Sequence, residues 1–162
     1  TLGKVIGGGL PVGAYGGKKE IMTLMAPSGP VYQAGTLSGN PLAVIAGLKT
    51  LQILEKSDFA QLSKLTKNLV QGLAKAAKAR DIPLQADSEG GMFGYFLNDK
   101  PVRNFEEAKT SSAKFKDFFH KMLQQKIYLA PSAYEAGFVS FAHTTEDIQK
   151  TIAVAETAFG EI

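Results

Sequence analysis

Cysteine is missing from all 162 residues. Neither a disulfide nor a thiolate metal site can therefore form, and the usage matches a reducing compartment such as the cytoplasm. Histidine is scarce too. His120 and His143 lack the helical spacing of paired metal ligands, so no metal is expected. No apolar run approaches the roughly 20 residues that a membrane helix needs, and no signal-peptide pattern occurs, so no membrane partner is expected. Arginine is confined to Arg80 and Arg103. The net charge is only +3, and the lysines lie among acids rather than in one stripe, which argues against a nucleic-acid partner. The chain is 44% hydrophobic and 20% charged, the balance of a soluble globular protein long enough to bury a core.

Glycine and proline punctuate the first forty residues. Residues 4–6 and 12–15 read as short strands or extended segments around a Gly7-Gly8-Gly9 turn. Asn40-Pro41 reads as a helix start, with Asn as the cap and Pro at the first position. Leu42, Ile45, Leu48, Leu51 and Leu54 then repeat at helical spacing over residues 41–55. A second helix over about 59–80 carries the stripe Leu62, Leu65, Leu69, Leu73 and Ala76, with lysines opposite. Two strands follow, near Leu84-Gln85 and over 92–97, joined by Glu89-Gly90-Gly91. A helix over about 112–125 is expected to bury Phe115, Phe118, Phe119 and Met122, and residues 127–129 and 138–141 read as short strands. Thr144 caps a last helix to Phe159, with Ile148, Ile152 and Ala155 facing inward. From about Ser57 onward the pattern is an α+β unit able to hold its own core. The first forty residues are not, because strands this short need neighbouring strands.

The opening stretch, TLGKVIGGGLPVGAYGG, has seven glycines and one charge, Lys4. Three chemistries compete for that amine. It can be a solvated lysine near a terminus. It can belong to a phosphate loop, although the Walker pattern needs Gly-Lys-Ser/Thr at the head of a helix and here Gly3-Lys4 runs into Val5-Ile6. Or it can be a Schiff-base lysine. That role needs an amine held well below its usual pKa of ~10.4, and bare backbone so that a flat ring can approach. The residue types leave the choice open.

This stretch, with YQAGTLSGNPLAVIAGL after it, resembles the active-site lysine region of the class III aminotransferases. The likeness continues through GGMFGYFL, VRNFEEAKTSSAKFKDFFHKML and YLAPSAYEAGFVSFAHTTEDI, so it covers essentially the whole chain. YQAGTLSGNP and APSAYEAGF resemble the aminomutase branch of that class, which turns a semialdehyde of glutamate into 5-aminolevulinate. The resemblance implies an α/β PLP-transferase of the aspartate aminotransferase type (fold type I). Residues 1–56 would end the large cofactor domain, and residues 57–162 would form the small C-terminal α+β domain. It also implies pyridoxal 5'-phosphate as cofactor, with the pyridoxamine 5'-phosphate form in the cycle, a small-molecule substrate and a homodimer.

On the same resemblance, Lys4 is the Schiff-base anchor and the base that shuttles the substrate proton. Gly35 and Thr36 reach the phosphate of the neighbouring subunit's cofactor, and Glu135 lies on the substrate side of the pocket. Relatives that use 2-oxoglutarate place an arginine in that part of the pocket as a bidentate clamp, a pattern from which a chain with only Arg80 and Arg103 departs. The phosphate loop, stacking aromatic and ring-nitrogen aspartate of such enzymes precede the lysine, so the chain is expected to match their C-terminal portion and to be inactive alone. An ω-amino acid aminotransferase and a non-catalytic dimerisation fragment are the alternatives. His143 is expected to be structural and His120 a surface or packing residue.

Overall fold

Glycine decides the local structure of the first residues. A computed structural model describes residues 1–109 and 112–162 and divides them into two units, Thr1–Ser57 and Asp58–Ile162.

In the first unit, Leu2 and Ala14 form an antiparallel bridge, with N–H···O distances of 2.7 and 2.9 Å. The loop between them does not continue as the expected strand over residues 4–6. It winds into a 3-10 turn, Lys4–Gly7, because Gly8 turns left-handed at φ 59° and donates its N–H to the Val5 carbonyl at 3.0 Å. A single helical turn, α1 (Lys19–Met22), was not expected from the sequence. Helix α2 (Pro41–Leu54) starts as its sequence dictates: the Asn40 side chain accepts from the N–H groups of Leu42 and Ala43 at 3.1 and 3.2 Å. Its buried face is nevertheless not the leucine stripe. Ala43 and Gly47 are buried, whereas Leu42 and Ile45 are 74% and 63% exposed. Small residues win that face because the turn approaches backbone to backbone: a Cβ on Gly47 would lie 2.6 Å from the Ile6 carbonyl oxygen.

In the second unit, Asp58 caps α3 (Phe59–Lys78) by accepting from Gln61 N–H at 3.0 Å. β1 (Gln85–Glu89) and β2 (Met92–Phe96) form an antiparallel hairpin, with Gln85 opposite Phe96 and Glu89 opposite Met92. Gly90, at φ 57°, makes their turn possible. After the short helix α4 (Phe105–Lys109), which sequence spacing did not reveal, comes α5 (Ser112–Gln124). β3 (Gly137–Phe138) pairs antiparallel with β2, giving the order β1-β2-β3, and α6 (Thr145–Phe159) closes the unit.

Two expected strands are cut back. Residues 127–129 form none: Lys126 turns at φ 64°, and the Ile127 N–H returns to the Met122 carbonyl at 3.0 Å. Ile127 and Leu129 still pack their side chains on the core. The strand expected over 138–141 stops at Phe138, because the Ser140 N–H goes to His143 Nδ1 at 3.0 Å.

The core of this unit gathers α3, α5, α6 and β2. Phe118 stacks on Phe159 with centroids 4.5 Å apart, and Tyr95 meets Phe118 edge-on at 5.8 Å. Met122, Ala155 and Ile148 fill in around them. The sequence also placed Phe119 here, but it is only half-buried, turned toward Tyr128. The fully buried Thr66 hydroxyl donates to the Leu62 carbonyl at 2.9 Å, so it carries no desolvation cost.

Candidate active site

Lys4 opens the 3-10 turn with φ at +54°. An L-residue in the left-handed region costs about 1–2 kcal/mol, and such strain gathers at functional positions. The turn is fixed from three sides. The Leu2–Ala14 bridge ties its ends. Gly7 is buried, and its Cβ would meet Val12. Gly8 cannot carry a Cβ, which would fall 2.8 Å from the Ala46 carbonyl oxygen and 2.6 Å from Thr50 Oγ1 of α2. The amine itself is exposed and has no ion-pair partner among the described residues.

Some of the glycines that follow it in the chain leave open space. Cβ atoms on Gly9, Gly16 or Gly17 would meet nothing within 4 Å. A free primary amine on a rigid turn, with unobstructed glycine backbone in the same segment, suits condensation with the aldehyde of a flat cofactor.

Gly35 and Thr36 begin the turn that leads to α2. The Ser38 N–H donates to the Gly35 carbonyl at 2.9 Å, and a Cβ on Gly35 would press on Ser38 Oγ at 3.0 Å. Thr36 is exposed, and its hydroxyl has no partner among the described residues. A free hydroxyl of this kind suits a phosphate oxygen. A cavity of about 440 Å³ lies between residues 11–13 and this turn, lined by Val12, Gly13, Gly35, Ser38, Asn40 and Ala43. The glycine-rich segment after Lys4 and the Gly35 turn are thus brought together, while the side chains of Lys4 and Thr36 do not line that cavity.

Glu135 belongs to the second unit. It sits in a turn before β3, where its N–H donates to the Ser132 carbonyl at 3.2 Å, and its exposed carboxylate has no cationic partner among the described residues. Neither arginine is joined to it. Arg80 reaches Glu156 at 3.7 Å on an exposed edge, an interaction of at most about 1 kcal/mol; Arg103 is exposed at the start of α4.

His143 Nδ1 accepts from Ser140, as a structural histidine does, and His120 is exposed against Phe119. Sequence reading missed a cleft of about 390 Å³ in this unit, lined by Phe93, Lys126, Tyr128, Phe138 and His143. Its walls come from residues scattered along the chain, so no local spacing announces it. Among the described residues no group of side chains could hold a metal ion, and no helix is long and apolar enough to cross a membrane.

A family model described as aminotransferase class-III matches residues 1–155. Among solved structures, the chain is similar to a β-phenylalanine aminotransferase from Variovorax paradoxus over 99% of its own length, with a TM-score of 0.85 and 26% identity. It is similar to an ω-transaminase from Sphaerobacter thermophilus over 97%, with a TM-score of 0.83 and 26% identity. A glutamate-1-semialdehyde aminomutase from Pseudomonas aeruginosa PAO1 matches 79% of the chain at a TM-score of 0.68 and 19% identity. The chain spans 37% of the length of each of the first two proteins and 29% of the third.

Proposed function

The chain belongs to the class III aminotransferases, pyridoxal-phosphate enzymes of fold type I, and on that footing we propose that it is the lysine-bearing part of a glutamate-1-semialdehyde aminomutase. The observation that carries the proposal is Lys4, a free amine on a strained turn amid glycine backbone. The aminomutase reading rests on the resemblance of YQAGTLSGNP and APSAYEAGF to that branch, which implies that Glu135 lies in the part of the pocket where dicarboxylate-using relatives place an arginine.

Pyridoxal phosphate, when bound, supplies an electron sink that makes the hydrogen on the amine-bearing carbon acidic. The chain's own residues do the rest. Lys4 Nζ would hold the cofactor and, once released by the substrate's amine, would take up and return the substrate proton. The Thr36 hydroxyl would bind phosphate; by family pattern that phosphate belongs to the other subunit, so the working form would be a homodimer. Glu135 attracts the substrate's amine and repels a second carboxylate, which disfavours a dicarboxylate partner.

Incubating the intact protein with glutamate-1-semialdehyde and no amino acceptor tests this. We expect 5-aminolevulinate to form, and Lys4→Ala to lower turnover by several orders of magnitude. Product formation that demands a separate amino acceptor refutes the aminomutase reading. It would favour the second one, an aminotransferase acting on ω- or β-amino acids, which draws its support from the likeness to the Sphaerobacter and Variovorax enzymes.

A further inference from the structure

We infer that Phe105 is a positioning residue for the Glu135 carboxylate, acting through Tyr134, so that α4 sets how the substrate is held. The inference rests on the substrate-side role proposed above for Glu135. Helix α4 has only five residues, too few to persist on propensity alone, yet it is pinned along its whole length. Asn104 Oδ1 accepts from the Glu107 N–H at 3.0 Å, and Glu107 Oε2 accepts from the Arg103 N–H at 2.7 Å. The Lys109 ammonium bonds both Glu106 carboxylate oxygens at 2.9 Å and stands 5.0 Å over the Phe105 ring.

The ring held in this way meets Tyr134, with centroids 5.2 Å apart and planes at 54°. Tyr134 and Glu135 are consecutive in a turn that Ser132 closes twice. Its hydroxyl accepts from the Tyr134 N–H and its carbonyl from the Glu135 N–H, each at 3.2 Å. The backbone of the turn is therefore set by Ser132, and its remaining freedom is the direction in which it leans. The Phe105–Tyr134 contact fixes that lean. Phe105 is 59% and Tyr134 50% exposed, so the pair fills little core, and its consequence is orientation rather than stability.

The test compares Phe105→Ala, Phe105→Tyr, Glu135→Gln and the double variant Phe105→Ala/Glu135→Gln in the intact enzyme. For each, KM and kcat for glutamate-1-semialdehyde and the thermal midpoint are measured. An aromatic pair of this geometry predicts that Phe105→Ala raises KM about three- to tenfold, with kcat and the midpoint little changed. Phe105→Tyr should keep KM near the parent value, and Phe105→Ala should add nothing in the Glu135→Gln background. An unchanged KM in Phe105→Ala, or the same rise with and without the carboxylate, overturns the inference. So does a KM that merely follows the midpoint; Phe105→Leu provides the same readout should the alanine variant fold poorly. If Glu135→Gln alone behaves as the parent, the role given to Glu135 is what fails, a separate result.

Discussion

Replacing Gly47 by alanine sets two effects of known sign against each other. Within a helix, alanine is favoured over glycine by about 1 kcal/mol, so α2 taken alone should gain. The added Cβ, however, would stand 2.6 Å from the Ile6 carbonyl oxygen. Ordinary contact starts at 3.4 Å, so the turn or the helix must retreat by about 0.8 Å. The obstructing atom is backbone, unlike the rotatable Ile152 side chain that faces Gly72 in α3. Overpacking of this kind costs about 1–3 kcal/mol. The net change in stability is then between about zero and 2 kcal/mol, a few degrees at most in the thermal midpoint.

Activity should respond far more. Ile6 and Lys4 share one 3-10 turn, and a misplacement of about 1 Å at a reacting group can lower a rate roughly 100-fold. The expected outcome for Gly47→Ala in the intact enzyme is thus turnover reduced at least about tenfold, with a midpoint lowered by no more than a few degrees. Steady-state kinetics and thermal unfolding on the same preparation decide it. A raised midpoint with full turnover would refute the reasoning, since it would mean that α2 does not seat the turn carrying the amine.

Other perturbations probe separate links. Thr36→Val should weaken cofactor retention by about 1.5–3 kcal/mol, the value of a hydrogen bond to a charged phosphate; unchanged affinity on dialysis would return that turn to a purely structural role. Phe118→Ala removes a ring that is 1% exposed and stacked on Phe159. It should cost about 3–5 kcal/mol, measured by denaturant unfolding of the chain. The Thr144 backbone N–H and then its hydroxyl hold the Asp147 carboxyl below its ordinary pKa. A depressed folded-state pKa stabilises above the unfolded value, near ~3.9, and that contribution disappears as pH falls through the folded one. Asp147→Asn should therefore flatten the dependence of the thermal midpoint on pH below about 4, and an unaltered slope would disprove it.

Helices with both a cap and a one-sided stripe were legible in the sequence. α3 and α6 have Asp58 and the Thr144–Asp147 capping box at their starts and leucine, isoleucine or alanine on the buried face. α2 kept its cap but reversed its face, because a segment as apolar as PLAVIAGLKTLQIL offers candidates all round and spacing cannot choose among them. What chose was the space left by Gly47. α4 escaped notice because its five residues hold together by reciprocal side-chain bonds instead of a stripe. Residues 127–129 misled in the opposite direction: their apolar side chains are needed by the core, and their backbone is not needed by the sheet.

At the site, the residue types were legible and their division of labour was not. Gly7-Gly8-Gly9 reads as a loose turn, yet the three glycines answer three different demands. Gly7 is buried against Val12. Gly8 combines a left-handed φ with an approach to α2 that no side chain could share. Gly9 is left-handed at φ 92° with open space around it. The first two lock the turn, so the strain at Lys4 is borne by the surrounding structure rather than relaxed. From the sequence, a lysine beside glycines is compatible with a solvated, mobile amine. The contacts of Gly8 with α2, and of Gly47 in α2 with the Ile6 carbonyl, fix the backbone from which that amine springs, and a fixed backbone origin is the first requirement for a lysine that both anchors a cofactor and moves a proton.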